Sequence, residues 1–146
     1  MCYIPCVIGE SDICVELLVD TGASMSVMSW TLAQQLGLAD QLDRRQQGMA
    51  HGVGQARILG QIRQVAVRLG HNVEFPMDFC ILDLPDNKLL LLGLDQMRKY
   101  KCIVDLEDEV LLFGGKGGVE VQLLPADDSQ ERAFRQAMEG AGCSVM

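Results

Sequence analysis

The segment Leu17-Leu18-Val19-Asp20-Thr21-Gly22-Ala23 constrains the fold of this 146-residue chain more than any other. Its three apolar residues predict a strand buried on both faces, at whose end Asp20 enters the protein interior. Thr21 can form hydrogen bonds within the loop, and Gly22 permits a backbone turn that other residues resist. An Asp at such a position can simply cap an ordinary turn. A buried, unpaired carboxylate is unfavourable, however, so the apolar run before Asp20 and Ala23 after it favour a functional loop.

Length and charge narrow the class of protein. A chain of 146 residues suits one domain, and a domain of this size buries roughly two-thirds of its unfolded surface without a metal or a disulfide. The net charge of −8 argues against a nucleic-acid-binding or anionic-membrane-binding surface. No apolar run approaches the roughly 20 residues of a membrane-spanning helix, and no signal peptide is evident. We therefore expect a cytoplasmic protein that can also be present in the nucleus.

Six cysteines are present, but their spacing does not indicate a metal centre. None forms a Cys-x-x-Cys pair, and only His51 and His71 could add nitrogen ligands. Reduced thiols buried in an intracellular protein are the favoured interpretation, and a zinc site is the alternative. We expect no metal and no cofactor. The cysteines are Cys2, Cys6, Cys14, Cys80, Cys102 and Cys143.

The first part of the chain predicts a β-hairpin followed by a short helix. Residues 1–8 and 13–19 have the apolar patterns of two strands, with turn-forming residues between them. Ser29 suits the N-cap of a helix over residues 30–36, and Gly37 suits its end.

The second part predicts more strands, another short helix and a polar tail. An apolar run before Gly93 repeats the arrangement before Asp20, but Gly93-Leu94-Asp95 replaces Asp-Thr-Gly, so the chain has no second loop of this kind. We expect one domain over residues 1–125 and a flexible polar tail over 126–146. The predicted elements are strands over 61–69, 73–82, 89–92 and 119–124, a hairpin of 102–104 with 110–113, and a helix over 95–100.

A glycine-bearing hairpin is predicted near the middle of the chain, after a polar stretch over 38–47 that predicts a solvated loop. Two strand-like arms meet at a glycine-bearing tip within residues 48–56, which residues 57–60 follow. Glycines at a hairpin tip serve most often as an ordinary turn. The functional interpretation is a mobile flap that closes over a bound peptide. Its candidate substrate-binding residues are Met49, Ala50, His51, Gly52, Val53 and Gly54.

Several of these motifs together resemble the retroviral-type aspartic proteases. The resemblance rests on Val19-Asp20-Thr21-Gly22-Ala23, on the flap candidate and on Leu91-Leu92-Gly93 before a short helix. Within that group the chain is similar to the protease domain of the DNA-damage-inducible protein family. That similarity is carried by Met1-Cys2-Tyr3-Ile4, His51-Gly52-Val53-Gly54 and Leu91-Leu92-Gly93-Leu94-Asp95-Gln96-Met97.

The resemblance implies a mostly β, closed barrel-like fold of the retropepsin type, with one or two short helices, that forms a homodimer. It covers about residues 1–125. Family members usually carry a ubiquitin-like domain before the protease domain, and some carry a ubiquitin-associated domain after it. They act as shuttle factors between ubiquitinated proteins and the proteasome. The resemblance therefore implies that this chain is a protease core with Met1 internal to a longer protein, and that these partners bind through domains outside it.

Three functions are open at this point. The first is an aspartic endopeptidase in which Asp20 of each subunit activates water, Thr21, Gly22 and Ala23 hold the loop, and the flap excludes water from the bound peptide. The second is a catalytically weak dimeric scaffold that recruits ubiquitinated clients to the proteasome. The third, a thiol or zinc protein, has no support in the cysteine spacing. The intact Asp20-Thr21-Gly22 favours the first function over the second.

Overall fold

Strands dominate the computed structural model, which describes residues 1–50, 56–70, 72–85 and 88–125, with backbone alone at 49 and 50. The sequence-predicted elements are nearly all present, and their ends differ from prediction by one or two residues in most cases. The strands are β1 (Cys2–Ile8), β2 (Cys14–Val19), β3 (Val27–Ser29), β4 (Gly48–Ala50), β5 (Ala56–Leu69), β6 (Val73–Leu82), β7 (Leu90–Leu92), β8 (Ile103–Asp105), β9 (Val110–Phe113) and β10 (Val119–Gln122); the helices are α1 (Trp30–Gln35) and α2 (Leu94–Lys99), with a 3-10 turn at Ala39–Gln41.

Six of the strands close into a barrel. Their order is β1-β2-β7-β3-β6-β5, and β5 returns to β1 through the pairs Val7↔Arg68 and Ile8↔Val67. Among the described residues, strand β4 pairs with β5 alone, so it stands outside the closed ring. The predicted fold class, a mostly β closed barrel with two short helices, is confirmed. Homodimerisation remains a prediction.

The strand that leads to Asp20 lies inside the barrel wall. Strand β2 pairs antiparallel with β1 on one side and parallel with β7 on the other. Leu17, Leu18 and Val19 are all buried, which confirms the prediction of a strand covered on both faces. The parallel register sets Leu18 opposite Leu91 and Val19 opposite Leu92, so the end of β2 is fixed relative to the end of β7.

Alternation along these strands divides the buried residues into two clusters. Val19 and Leu92 belong to the main core inside the barrel. Their neighbours Leu18 and Leu91 belong to a second cluster on the other face of the sheet, because successive side chains of a strand point to opposite faces. We call this smaller cluster the apolar face. Its buried members are Leu18, Val27, Ala56, Cys80, Leu82 and Leu91.

The first helix begins as the sequence predicts. Ser29 is its N-cap, and the Ser29 hydroxyl accepts a hydrogen bond from Leu32 N at 3.2 Å. The helix ends at Gln35, and Gly37 follows with φ of +75°, a conformation that favours glycine. Neither helix is long enough to cross a membrane, and no spanning helix exists among the residues that the structure describes.

The predicted separation of residues 57–60 from 61–69 is wrong, because β5 is one continuous strand of 14 residues. It changes register against β6 between Ile58 and Gly60 and again between Ile62 and Val65. Such bulges interrupt the apolar alternation, so the sequence pattern suggests two strands where there is one.

A second, three-stranded sheet of β8, β9 and β10 completes the described chain. It is joined to the barrel by aromatic packing, with the Phe75 ring centroid 5.0 Å from that of Phe113 and 5.1 Å from that of Tyr100. Near the end of the described chain, Leu124 N donates a hydrogen bond to Tyr3 O at 2.8 Å. Residues 1–125 remain our predicted domain, and residues 126–146 lie outside the described residues.

Candidate active site

Asp20 stands where β2 leaves the barrel wall. Its backbone N donates a hydrogen bond to Leu92 O at 3.0 Å, which extends the parallel pairing of β2 with β7 by one step. The start of the loop is therefore fixed by the same register that fixes the two buried strands. We call residues 20–26, between β2 and β3, the Asp20 loop.

Within this loop the Asp20 carboxylate is held by a tight turn. Gly22 N donates a hydrogen bond to Asp20 Oδ1 at 2.9 Å, and Ala23 N donates one to Asp20 O at 3.2 Å. Gly22 is needed here for space and not for an unusual φ, because its backbone lies outside the left-handed region. A Cβ at position 22 would lie 3.2 Å from Asp20 Oδ1, which would crowd the carboxylate.

The prediction that Asp20 enters the protein interior is wrong for this chain. Asp20 and Ala23 are half-buried, and Thr21 and Gly22 are exposed. The reason is that β2 ends at Val19, and the chain turns directly after it through the exposed residues Thr21 and Gly22. The four predicted site residues therefore lie together on one partly exposed turn.

The loop is supported by the segment after β7, a relationship that sequence reasoning missed. Leu94 N donates to Ala23 O at 2.8 Å, and Asp95 N donates to Ser24 O at 3.2 Å. The buried Ser26 hydroxyl bonds to both Gly93 N and the Asp95 side chain. The available signal was the repeated apolar run before Gly93-Leu94-Asp95, which places this segment as the counterpart of Asp-Thr-Gly.

The apolar face begins directly beside the Asp20 loop. Leu18, Leu91, Val27 and Cys80 lie side by side on four neighbouring strands, since each is opposite the next in register. Ala23 packs against this cluster. The partly buried side chains that also pack there are Tyr3, Ile58, Leu84 and Leu89. A buried apolar cluster thus reaches Ala23, in the same turn as Asp20.

The predicted flap has its two arms but not a described tip. Strand β4 pairs antiparallel with β5, with Met49 opposite Arg57 and Ala50 opposite Ala56. Ala56 belongs to the apolar face, so the second arm of the hairpin starts on the same surface that Ala23 contacts. The flap residues His51, Gly52, Val53 and Gly54 lie outside the described residues.

The polar stretch before the flap is docked on β5, so the prediction of a solvated loop is wrong at Asp43. Asp43 and Gln61 exchange two backbone hydrogen bonds, at 2.8 and 2.9 Å. The Asp43 side chain is only 18% exposed because two guanidinium groups cover it. Arg45 Nε lies 2.9 Å from Asp43 Oδ1, and Arg63 Nη1 lies 2.6 Å from Asp43 Oδ2. These hydrogen bonds, from Arg45 above all, hold the pKa of Asp43 well below its usual range.

The cysteines are free thiols in the described ranges, but they are not all buried. Cys6 and Cys80 are buried and Cys2 and Cys102 are half-buried, whereas Cys14 is exposed. Burial raises the pKa of Cys6 to about 12 and that of Cys102 to about 12. Within residues 1–50, 56–70, 72–85 and 88–125, no three His, Cys, Asp or Glu residues are grouped as metal ligands would be. Cys143 and His71 lie outside the described residues.

A closed barrel that holds an Asp-Thr-Gly turn at the end of a buried strand defines a retropepsin-like protein. The family model described as "Aspartyl protease" matches residues 1–105. The chain therefore belongs to the aspartyl protease family, as a retroviral-type protease domain of the DNA-damage-inducible group.

Named relatives support this placement. The chain is 40% identical over 118 residues to Protein DNA-DAMAGE INDUCIBLE 1 of Arabidopsis thaliana, covering 81% of this chain and 28% of the relative. It is 39% identical over 102 residues to UBA domain-containing protein Mud1 of Schizosaccharomyces pombe, covering 70% of this chain and 30% of the relative. The crystal structure of the retroviral protease-like domain of Ddi1 from Leishmania major matches with a TM-score of 0.74 at 32% identity, covering 88% of this chain and 97% of that domain. The chain thus spans under a third of the length of these two curated relatives.

Proposed function

We propose that this domain, residues 1–125, is an aspartic endopeptidase that works as a homodimer, with one Asp20 contributed by each subunit. The observation that carries the proposal is the half-exposed Asp20 carboxylate, held by Gly22 N at the end of a buried strand. A carboxylate that is fixed in this way and partly exposed can meet a second carboxylate and a substrate without rearrangement of the barrel.

Peptide hydrolysis by this chemistry needs two carboxylates. One is ionised and takes a proton from the attacking water, and the other is protonated and donates to the carbonyl oxygen. Two carboxylates about 3 Å apart share one proton because they cannot both ionise, which is the general arrangement in aspartic proteases. The pair then holds the acid and the base of the reaction at the same time.

The second carboxylate must come from another copy of the chain. The counterpart of the Asp20 turn is Gly93-Leu94-Asp95, and its only carboxylate is bonded to the buried Ser26 hydroxyl, 2.7 Å away. Asp95 therefore bonds to the Asp20 loop of its own chain and does not supply the second carboxylate. A two-fold axis beside the exposed Thr21 and Gly22 would bring two Asp20 side chains together.

The substrates in this proposal are peptides or proteins with apolar side chains near the cleaved bond. The apolar face adjoins Ala23 on one side and the second arm of the flap, at Ala56, on the other. Residues 49–54 would then close over the bound peptide and exclude water. We further propose that ubiquitinated proteins are among the substrates. In this proposal the longer protein works with the proteasome in the cytoplasm and also in the nucleus. The family resemblance and the name of the relative Mud1, which mentions a UBA domain, support this.

The test combines sedimentation with a cleavage assay on the full chain. Analytical ultracentrifugation at micromolar concentration should give twice the 16.0 kDa chain mass. The wild type should cleave an apolar reporter peptide and be blocked by a pepstatin-type inhibitor. Asp20→Asn keeps the shape of the side chain but removes the ionisable group, so this variant should dimerise and show no cleavage.

Each contrary result has a defined meaning. Wild-type rates in Asp20→Asn would show that Asp20 is not the catalyst. A fully active monomer would exclude a site shared between subunits. A dimer that cleaves no peptide and binds no inhibitor would replace the proposal with the scaffold function.

A further inference from the structure

One buried hydroxyl group, that of Ser26, joins the Asp20 loop to the segment after β7. Ser26 is 0% exposed, and its Oγ donates a hydrogen bond to Asp95 Oδ1 at 2.7 Å. The same Oγ accepts a hydrogen bond from Gly93 N at 2.9 Å. Ser26 O also accepts one from Cys80 N at 2.9 Å, which ties this end of the loop to β6. Both the backbone and the side chain of Ser26 are therefore fixed to other elements.

The carboxylate that receives this bond is not an ordinary helix cap. Asp95 lies in the first turn of α2, where an acidic side chain usually interacts with the N–H groups of its own helix. Here Oδ1 is instead bonded to a residue 69 positions earlier in the chain. The second oxygen, Oδ2, accepts a long bond of 3.4 Å from Gln96 Nε2. Each oxygen of Asp95 thus has a side-chain donor.

Gln96 adds a further buried polar group to this arrangement. Its side chain is 5% exposed, and its Oε1 has no hydrogen-bond partner within the described part of the chain. A buried acceptor without a donor is unfavourable. The Gln96 amide is held with its nitrogen toward Asp95, because a carboxylate can only accept.

We propose that Asp95 is a positioning residue for peptide cleavage, which acts through Ser26 to set the position and orientation of the Asp20 loop. The proposal rests on the proposed function in that Asp20 is taken as the catalyst. Asp95 is joined to the loop through its side chain at Ser26 and through its backbone N at Ser24. Removal of the carboxylate takes away the acceptor of the Ser26 hydroxyl, so that only backbone N–H donors still join the loop to the segment after β7 and to β6.

The consequence for the reaction follows from geometry. Asp20 must face both the partner carboxylate and the attacking water, and a displacement of about 1 Å costs on the order of a hundredfold in rate. Ser26 is fully buried and so cannot contact a peptide directly, and substrate binding should therefore be much less affected than the rate. We therefore expect Asp95→Ala to lower kcat by about 10- to 100-fold with a KM within about twofold of wild type.

Asn at position 95 provides the matched rescue. Asn Oδ1 can still accept from Ser26, and Asn Nδ2 would replace the oxygen that faces Gln96. Rotation of the Gln96 amide would then direct its unpartnered Oε1 toward that new donor. We expect Asp95→Asn to retain the wild-type kcat within about threefold, because what the loop requires from residue 95 is an acceptor for Ser26.

The experiment compares five proteins as full-length chains: wild type, Asp95→Ala, Asp95→Asn, Ser26→Ala and Asp105→Ala. Asp105 is the control because its Oδ1 also accepts local backbone bonds, from Glu107 N and Asp108 N at 3.0 Å each, but in the other sheet. The readouts are kcat and KM on one peptide, and hydrogen–deuterium exchange of peptides that cover residues 20–26 and 93–95. Asp95→Ala and Ser26→Ala should exchange about tenfold faster there than wild type, with no change in β5 and β6.

A double variant tests whether Asp95 and Ser26 act on the loop through the same hydrogen bond. If Asp95 acts through Ser26, then Ser26→Ala combined with Asp95→Ala should lower kcat little further than the more damaging single change. Fully additive losses would overturn the proposal. So would Asp95→Ala with wild-type kcat and wild-type exchange, or Asp95→Asn as impaired as Asp95→Ala.

The exchange measurement keeps this inference separate from the proposed function. A wild type without any cleavage would refute the endopeptidase, and the exchange of residues 20–26 would then decide on its own whether Asp95 holds the loop. Active wild type with an unaffected Asp95→Ala would instead refute the positioning role and leave the endopeptidase in place.

Discussion

Gly93 lies against the backbone of Met25 with no room for a side chain. A Cβ built at position 93 would be 2.6 Å from the carbonyl carbon and oxygen of Met25 and 2.9 Å from Ala23 O. All three of these atoms are backbone, so they cannot move aside as a flexible side chain would. The Asp20 loop and the end of β7 are therefore packed backbone to backbone, which only glycine permits.

Gly93→Ala should accordingly destabilise the fold. The added methyl group must push the Asp20 loop away from β7, and overpacking of this kind costs about 1–3 kcal/mol. Urea unfolding followed by fluorescence of Trp30 would measure the loss. Gly48→Ala is the control, since a Cβ there meets no described atom within 4 Å. Equal stability of the two variants would contradict the close packing.

Asp43 should make the free energy of unfolding of the domain depend on pH. Its folded-state pKa is depressed by Arg45 and Arg63, so the ionised form favours the folded state above the unfolded pKa of about 3.9. That contribution is lost as the pH falls below this value toward the lower folded pKa. The urea midpoint of Asp43→Asn should therefore be below wild type at pH 6 and converge on it toward pH 2.

The matched control for this measurement is Asp12→Asn. The Asp12 side chain is fully exposed and lies 3.8 Å from Arg68, so its removal should leave the midpoint nearly unchanged at every pH. A constant gap between Asp43→Asn and wild type from pH 6 to pH 2 would show that the charge of Asp43 is not what matters.

Cysteine reactivity should follow exposure. Cys14 is exposed, whereas burial raises the pKa of Cys6 to about 12 and so keeps it protonated. At pH 8 iodoacetamide should label Cys14 at least tenfold faster than Cys6 or Cys102 in the folded chain, since the thiolate is the reacting form. Peptide mass spectrometry would measure this. In urea the rates should become similar, and a Cys6 that reacts as fast as Cys14 without urea would contradict the packing of β1.

A peptide-like inhibitor should protect the flap hairpin from amide exchange. The paired arms, Gly48–Ala50 and the start of β5, flank residues that our proposed function closes over the substrate. Exchange across residues 48–58 should slow by about tenfold or more with inhibitor, while β8 and β9 should not change. Equal exchange with and without inhibitor would favour an ordinary turn.

The local parts of this fold were predictable from the sequence because their causes are local. The apolar run before Asp20 predicted a strand covered on both faces, and burial of Leu17 confirms it. Ser29 predicted a helix start through a hydrogen bond that spans three residues. Gly22 was predicted correctly as part of a tight turn. The predicted reason, an unusual backbone conformation, was wrong, because a side chain at this position would crowd the Asp20 carboxylate.

The parts that were missed depend on contacts distant in sequence. No periodicity connects Ser26 to Asp95, and each alone resembles an ordinary strand or helix residue. Asp43 was expected in a solvated loop, but its backbone pairs with Gln61. Two arginines surround its carboxylate, which the charged sequence did not predict. The half-burial of Asp20 was missed because an apolar run predicts that a strand is buried. It does not predict at which residue the chain leaves the buried strand.

The distance in sequence between Ser26 and Asp95 also has a consequence during translation. The two residues are 69 positions apart, so at ribosomal speed Asp95 is added about 3–14 s after Ser26. For most of that interval the nascent chain carries Asp20 without β7, and until Asp95 is added it lacks the hydroxyl contact that holds its loop. If the domain is a protease, its active-site geometry forms late in its own synthesis. The nascent chain is therefore not exposed to its own cleavage activity before that point.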